Sequence, residues 1–326
     1  MRVAVTGASG FVGGYLARAL AERGHRIVAF GRRPAAALPF PMPDYHQWDL
    51  ATGPLRIPGI DALVHCAAQV GDWGDARGYQ RSNVVGTQAV LDSFPGARVV
   101  HVSSSSVYSD NVSAADVRED AATGRCAHSA YARTKAEAER LVLACSPGAV
   151  VLRPHIVYGP GDTTLLPRLL ASRRLGHLCI PGTGSNHLSV THVDNLASAV
   201  AAALDTADAC GLFNIADAEP ITVDALLRTV LARTGSRTHL VYLPVGLARA
   251  VATVCETVWR VGALRGSPPL THYVVDQLTR EHTLNISRAR QQLGYCPQWS
   301  IHDGPLDAGD HAPGPRLLPF AQMPIQ

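Results

Sequence analysis

A tyrosine and a lysine four residues apart are the pair of side chains in this sequence best suited to acid–base chemistry. Tyr131 and Lys135 lie in the stretch 129–144, whose composition predicts a helix, so their spacing puts both on one helical face. A phenol with a pKa of about 10 is a poor base at neutral pH, but a neighbouring ammonium favours the phenolate. The pair could therefore move a proton to or from a substrate oxygen.

The same spacing also occurs by chance on amphipathic helices, where the tyrosine packs in the core and the lysine is solvated. Lys135, however, is the only lysine among 29 basic residues, and the rest are arginine. A compact ammonium can hydrogen-bond the ribose of a nicotinamide cofactor, which a bulky planar guanidinium would do poorly. The choice of lysine at this one position favours the catalytic interpretation.

A run of serines, 103–106, follows a predicted strand at 99–102. A hydroxyl at the carboxyl end of a central strand points into the crevice where open α/β sheets bind ligands, although serine runs also simply mark loops. Ser104 is our candidate for the group that hydrogen-bonds the substrate oxygen. Ser103, a candidate cofactor contact, and Ser105, a candidate substrate contact, are the alternatives for that role.

The elements that must position these residues are strands and helices in alternation. Short apolar β-branched runs alternate with helical stretches rich in Ala, Leu and Arg, and the strands are continuously hydrophobic, as in a parallel sheet covered on both faces. We expect an α/β fold with a doubly wound parallel sheet (Rossmann) over 1–158, with a return segment at about 188–217. Residues 159–187 and 218–302 would form a smaller, irregular C-terminal substrate-binding lobe, and 303–326 a draped or disordered tail.

Three glycines mark a phosphate-binding turn between the first predicted strand and the first helix. Gly7 permits a tight turn, Gly10 lets the backbone approach a phosphate, and Gly13 lets helix pack on strand. The spacing G-x-x-G-x-x-G alone is weak evidence, because glycine is also a turn former, but its place after the first strand favours a dinucleotide site. The other candidate cofactor contacts of the turn are Ser9, Phe11 and Val12.

Two arginines, Arg32 and Arg33, stand at the end of the second strand, where an NAD-binding protein would have an acidic residue on the ribose. Guanidinium groups match phosphate oxygens, so the pair favours NADP(H), with NAD(H) the alternative if they are ordinary surface arginines. Further candidate cofactor contacts follow the third and fourth strands: Asp49, Leu50, Ala67 and Ala68.

Composition excludes several function classes. The net charge of +3, with scattered arginines, argues against a nucleic-acid partner. No apolar run reaches the roughly 18 residues of a spanning helix, and an apolar strand occupies 1–6 in place of a signal peptide, so we expect a cytoplasmic protein. The seven cysteines are widely spaced without a C-x-x-C pair, which predicts small core residues and neither a disulfide framework nor a metal site.

Four motifs together carry a family resemblance. The glycine turn, S-S-x-x-V-Y at 103–108, Y-x-x-x-K at 131–135 and L-R-P-x-x-V-Y-G-P at 152–160 resemble the extended short-chain dehydrogenases/reductases. The likeness spans residues 1–304 approximately.

The resemblance implies a nicotinamide-dependent oxidoreductase acting on CH–OH or C=O groups, in which Ser104, Tyr131 and Lys135 are catalytic. It also assigns a catalytic asparagine to Asn83. Pro154 and Val157 would line the nicotinamide. The family likeness further implies a homodimer formed through helices of the cofactor domain.

Three departures from the nucleotide-sugar members of this family bear on the substrate. Ile156 and Leu188 replace an asparagine and an arginine of those members, and Ser105-Ser106 replaces the Asp-Glu of dehydratases. These changes remove hydrogen bonds that a diphosphate would need. The stretch 268–295 resembles 3β-hydroxysteroid dehydrogenase-like proteins. We therefore expect an NADP(H)-dependent ketoreductase or secondary-alcohol dehydrogenase for a small hydrophobic substrate, a steroid-like, polyketide or lipid carbonyl, with Ile156, Leu188 and His155 as candidate substrate contacts.

Two alternatives to this function stay open: a nucleotide-sugar epimerase or reductase on the same scaffold, and a non-catalytic NADP(H)-sensing protein. The largely apolar stretch 244–264 also has three interpretations. It could be a lid over the pocket, an interfacial helix in peripheral contact with a membrane, or an ordinary packed helix.

Overall fold

A seven-stranded, wholly parallel sheet forms the centre of the protein in a computed structural model. The structure describes residues 1–38, 40–108, 115–124, 129–163, 176–264 and 266–306. The strands are β1 (Arg2–Thr6), β2 (Arg26–Gly31), β3 (Tyr45–Gln47), β4 (Ala62–His65), β5 (Arg98–Val102), β6 (Val150–Pro154), β7 (Val157–Tyr158), β8 (His177–Pro181), β9 (His187–Leu188), β10 (Thr191–His192), β11 (Gly211–Ile215), β12 (Ile221–Thr222) and β13 (His239–Leu243). The order of the large sheet is β3-β2-β1-β4-β5-β6-β11, which confirms the doubly wound fold.

Helices cover both faces of this sheet. They are α1 (Phe11–Glu22), α2 (Ala76–Gln80), α3 (Gly86–Ser93), α4 (Ala130–Cys145), α5 (Val193–Asp205), α6 (Val223–Arg233), α7 (Val245–Val261), α8 (His272–Thr279) and α9 (Ser287–Leu293). Val3 and Val5 face the core beneath α1 and α5, whereas Ala4 between them faces the core beneath α3 and α4. Because both faces are buried, the central strands carry apolar residues at consecutive positions, such as Val3, Ala4 and Val5.

The second lobe is built from short strand pairs, β7 with β10, β9 with β12 and β8 with β13. They pack with α6 around a core that includes Leu178, Leu226 and Val230. The start of the predicted tail belongs to this core: Leu306 is buried, and the Gly304 carbonyl accepts a hydrogen bond from Arg233 at 2.6 Å. The rest of that segment, 307–326, lies outside the described residues.

Helix α7 packs against the rest of the described chain through one face and leaves another apolar face exposed. Ala248 and Ala252 are buried in a small cluster with Val275 of α8. The opposite face carries exposed apolar side chains, namely Leu247, Val251, Val254, Val258 and Val261. Among the helices that the structure describes, none has the length and apolarity to cross a membrane. The peripheral membrane contact stays a prediction.

The prediction that the cysteines are core residues was wrong for most of those described. Cys145, Cys179, Cys210 and Cys296 are exposed, and Cys66 and Cys255 are partly buried. In β8 the reason is the alternation of the strand, since the core takes Leu178 and Ile180 and leaves Cys179 outside.

A buried ion pair fixes α4 to the sheet. Arg153 of β6 donates to both carboxylate oxygens of Glu139, through Nε at 3.0 Å and Nη2 at 2.7 Å. The Arg153 guanidinium also donates to the Glu119 carbonyl and lies over the Tyr108 ring. The pair therefore helps to set the position of α4, which carries Tyr131.

Replacing Arg153 by methionine is expected to destabilise the protein by about 3–5 kcal/mol, because the Glu139 carboxylate would stay buried without its partner. Urea unfolding of the variant measures this loss. In the double variant Arg153→Met/Glu139→Met no charge is left unpaired, so much of the stability should return. Equal losses in the single and double variants would contradict this explanation.

Candidate functional site

The glycine turn forms a close-packed backbone cradle with no room for a side chain at Gly7 or Gly13. A Cβ on Gly7, whose φ is +75°, would lie 2.8 Å from the Ala67 nitrogen, and one on Gly13 would lie 2.4 Å from the Gly7 carbonyl oxygen. Gly10 caps α1 without any side-chain hydrogen bond to the first amides of the helix. Those amides are therefore open to an anion, and the cradle fits the pyrophosphate of a dinucleotide.

The end of β2 carries positive charge and no carboxylate. Arg32 and Arg33 are exposed, and neither forms an ion pair with another described residue. The Tyr45 hydroxyl donates to the Arg33 carbonyl at 2.6 Å, and a Cβ on Gly31 would lie 2.5 Å from the Ser9 Oγ. The backbone that presents both guanidinium groups is thus held close to the glycine turn.

The predicted cofactor contacts after β3 and β4 lie at the same edge of the sheet. Asp49 caps a short 3-10 helix, accepting from the Ala51 nitrogen at 3.0 Å, and Leu50 packs against Gly86. Ala67, followed by Ala68, donates its backbone N–H to Thr6 at 3.3 Å. The close approach of Ala67 to Gly7 explains why small residues follow β4.

The structure brings Ser104 and Tyr131 together. The Ser104 side chain is close enough to the Tyr131 phenol to lower its pKa, and the Ser104 Oγ also accepts from the Ser106 nitrogen at 3.2 Å. Ser103 and Ser105 are buried, and their hydroxyls have no hydrogen-bond partner within the described chain. Of the three serines considered, Ser104 is thus the one placed beside the phenol.

Burial raises the pKa of Tyr131, and the neighbouring Ser104 side chain, which lowers it, only partly offsets this effect. The phenol is therefore protonated at neutral pH, and Tyr131 is ready to act as a proton donor. This differs from the expectation that Lys135 draws the pKa of Tyr131 down.

Lys135 is 2% exposed and directs its ammonium toward β5. Nζ donates to the Val102 carbonyl at 2.9 Å and to Nε2 of His101 at 3.2 Å, which leaves one of its three N–H groups for another acceptor. Burial lowers the pKa of Lys135 to about 8, and burial also holds the pKa of His101 well below its usual value. His101 is thus a neutral acceptor that anchors the ammonium.

Sequence reasoning missed His101. The available signal was a polar residue inside the otherwise apolar strand β5. Its ring lies 5.0 Å from that of His65, which hydrogen-bonds Thr6 at 2.7 Å and Thr87 at 2.9 Å. A buried polar network therefore runs beneath the site from Lys135 toward the glycine turn.

The Asn83 side chain is held by the loop after β4 and by α4. Asn83 is 1% exposed and lies in a π-helical turn, Arg81–Val85. Its side chain accepts from the Gln69 nitrogen at 2.7 Å and donates to the Gln69 carbonyl and to Thr134 at 3.0 Å. These contacts tie the loop after β4 to α4, so Asn83 has the geometry of a positioning residue.

The segment after β6 is strained at one residue. Ile156 has a φ of +35°, a conformation that β-branched residues rarely adopt and that proteins retain mainly at functional sites. Pro154 ends β6, and Val157 begins β7, where it pairs with Thr191. The strain redirects the chain where the nicotinamide is expected.

Leu188 and His155, like Ser105, are candidate substrate residues that are buried. Leu188 is 1% exposed in the core of the second lobe, so it presents no surface to a substrate. His155 is 4% exposed and reaches Gln277 of α8, with Nε2 and Oε1 3.3 Å apart. His155 therefore links the end of β6 to the second lobe.

Comparison with known proteins finds a family model, curated relatives and solved structures that match this chain. The model of the NAD-dependent epimerase/dehydratase family matches residues 3–216. A 2-alkyl-3-oxoalkanoate reductase from Stenotrophomonas maltophilia is 34% identical over 320 residues, covering 93% of this chain and 97% of that protein. A 3 beta-hydroxysteroid dehydrogenase/Delta 5-->4-isomerase from Mycobacterium tuberculosis is 32% identical over 321 residues, covering 91% and 86%. The solved structure of MoeE5 in complex with UDP-glucose and NAD has a TM-score of 0.71 and 27% identity, covering 93% and 96%.

Proposed function

The chain belongs to the NAD-dependent epimerase/dehydratase family, and from this premise we propose that it is an NADP(H)-dependent ketoreductase, or in reverse a secondary-alcohol dehydrogenase, for hydrophobic substrates. Its relatives are reductases and dehydrogenases, and the chain is accordingly an oxidoreductase acting on C=O or CH–OH groups. The observation that carries the finer proposal is the proximity of Ser104 and Tyr131 at the carboxyl end of β5, where buried Lys135 is anchored to Val102 and His101.

Each residue of this constellation has a defined task in carbonyl reduction. The reduced nicotinamide, when bound, supplies the hydride to the carbonyl carbon. Ser104 holds the carbonyl oxygen by a hydrogen bond, and Tyr131 gives its phenolic proton to that oxygen as the C=O bond becomes C–OH. The remaining N–H of Lys135 is free to hold a cofactor hydroxyl and to stabilise the phenolate left on Tyr131.

The preference for NADP(H) rests on Arg32 and Arg33. Replacing both by alanine is expected to weaken NADPH binding by about 100-fold, because charge-assisted hydrogen bonds to the 2'-phosphate are lost, while NADH binding changes little. Calorimetric titration with both cofactors measures this difference.

Arg23 provides the matched control, since it is an exposed arginine at the far end of α1, and Arg23→Ala should leave NADPH binding within about threefold of the wild type. An equal loss of NADPH and NADH affinity in the double variant would argue against the proposed preference.

A hydrophobic substrate is supported by the loss of polar anchors and by the relatives. Ile156 offers no hydrogen bond, and Leu188 lies in the core. One relative is named for 2-alkyl-3-oxoalkanoates and one for a 3 beta-hydroxysteroid. A third, from Stigmatella aurantiaca and 32% identical, is named as a ketoreductase of a dihydroquinoline-1-oxide that carries a farnesyl group. The first experiment is to mix the enzyme with NADPH and a 2-alkyl-3-oxoalkanoate and to follow the oxidation of NADPH. A panel of such ketones that gives no oxidation would contradict the proposal.

The likeness to MoeE5 in complex with UDP-glucose favours one second candidate, a nucleotide-sugar reaction. Thermal-shift titration with UDP-sugars separates the two functions. Strong stabilisation would support the second candidate. We expect no stabilisation by UDP-sugars, because a buried leucine at position 188 cannot bind a diphosphate.

A further inference from the structure

Helix α7 carries an apolar stripe that the rest of the described chain leaves exposed. The side chains of the stripe follow one another in steps of four, three, four and three residues, which places them on one face of the helix. They are Leu247, Val251, Val254, Val258 and Val261, and Leu264 just beyond the helix is exposed as well. Val254 is 63% and Val261 84% exposed. A contiguous exposed apolar patch of this kind marks an interaction surface.

Positive charge borders the stripe. Arg249 of α7 and Arg280 at the end of α8 both pair with Asp276. Arg260 of α7 pairs with Glu256. The three arginine side chains are 50%, 43% and 70% exposed, whereas the two carboxylates are only 18% and 13% exposed. Three guanidinium groups therefore share two largely covered carboxylates, and this side of the second lobe presents positive charge to solvent.

The extent of the stripe bears on what covers it. A stable contact with another protein takes about 20 residues or more on each side. The stripe and Leu264 offer six apolar side chains, mostly on a single helix, which is too few for such a contact. Apolar side chains on one face with arginines along its edge are typical of helices that lie in the surface of an anionic membrane. There the apolar side chains enter the acyl boundary and the guanidinium groups meet the headgroups.

We propose that α7 docks on the surface of an anionic lipid membrane through this stripe. The helix has 17 residues, so it is about 25 Å long and lies along the surface with all its turns in contact. The bordering arginines face the phosphates of the headgroups, while Ala248 and Ala252 stay packed on α8.

The docking face adjoins the loop after β4, close to the candidate site. The Arg260 guanidinium lies over the Trp73 ring, 5.1 Å from its centroid. The Trp73 carbonyl accepts from Tyr79, whose ring lies 6.5 Å from that of Tyr131. A docked α7 would thus hold the site beside the bilayer, where a hydrophobic carbonyl substrate is concentrated. This consequence rests on the proposed function, whereas the docking itself does not.

Co-sedimentation with lipid vesicles tests the docking without cofactor or substrate. The wild type should bind vesicles of equal parts phosphatidylglycerol and phosphatidylcholine at least about tenfold more tightly than vesicles of phosphatidylcholine alone. Val254→Ser should weaken binding to the anionic vesicles about fivefold, and Val254→Ser/Val258→Ser about 20-fold, because less apolar surface leaves water. Val85→Ser is the matched control, since Val85 is 52% exposed on the π-helical turn, and it should bind within about twofold of the wild type.

The arginines give a second, independent set of variants. Arg249→Gln and Arg260→Gln should each weaken binding to the anionic vesicles about fivefold and leave binding to phosphatidylcholine unchanged. Arg23→Gln, at the end of α1, should behave as the wild type. Raising the salt to about 0.5 M should weaken binding of the wild type more than that of the arginine variants.

Two results would overturn the docking: a wild type that binds no anionic vesicles, or a double valine variant that binds them as well as the wild type. Sedimentation velocity without lipid adds a third. Docking predicts the same oligomeric state for both proteins, and a smaller species in the double valine variant would show that the stripe contacts a second copy of the chain instead. A wild type that binds vesicles but reduces no ketone would contradict only the proposed function.

Discussion

Replacing Tyr131 by phenylalanine is expected to lower kcat about 1,000-fold while NADPH binding changes by less than about threefold. The substitution removes only the phenolic oxygen, and the ring keeps its place 6.5 Å from that of Tyr79. Without that oxygen, the side chain next to Ser104 can no longer deliver a proton to the nascent alkoxide. Stopped-flow reduction of a ketone and a fluorescence titration with NADPH measure the two quantities separately.

Tyr79→Phe is the matched control for this variant, since Tyr79 is buried nearby and donates its hydroxyl to the Trp73 carbonyl at 3.1 Å. Its loss should change kcat by less than about tenfold, because this hydroxyl is hydrogen-bonded to the main chain. If Tyr131→Phe kept more than a tenth of wild-type kcat, another group would have to be the proton donor.

Replacing Lys135 by arginine is expected to lower kcat/KM about 100-fold, although the positive charge is kept. The ammonium fits between the Val102 carbonyl and Nε2 of His101 in a site that is 2% exposed. A guanidinium is larger and planar, and it would displace the backbone of β5 that leads to Ser104. Lys135→Met, which keeps the length but not the charge, should lose at least as much activity.

The pH profile gives this prediction a second measurement. The ammonium is present below its pKa of about 8 and is lost as the pH rises. In the wild type kcat/KM should therefore fall above this pH, and Lys135→Arg should lack this limb because arginine stays protonated. An arginine variant with wild-type activity and profile would show that position 135 needs only a charge.

The sheet and the placement of Tyr131 and Lys135 on one helix could be predicted from the sequence because both are encoded locally. Continuous apolar strands between helical stretches define a doubly wound sheet, and the glycine turn follows the first strand directly. Tyr131 and Lys135 are four residues apart on one helix. Such short-range patterns need no knowledge of how distant segments meet.

The polar partners of the site could not be predicted, because they come from distant segments. His101 is 34 residues from Lys135, and Gln277 is 122 residues from His155. Leu188 was expected to face the substrate. Whether a leucine lines a pocket or packs in a core depends on contacts between strands that are distant in the sequence. The π-helical turn that directs Asn83 to Gln69 also has no local signal.

The most direct test of the proposed reaction is isotope transfer. The enzyme is incubated with a 2-alkyl-3-oxoalkanoate and NADPH deuterated at the hydride-bearing carbon of the nicotinamide, and the product is analysed by mass spectrometry. We expect one deuterium on the carbinol carbon for each NADPH consumed, and about 1,000-fold slower formation of this labelled product with Tyr131→Phe. Product without deuterium, or label exchange without net consumption of NADPH, would contradict hydride transfer to a ketone.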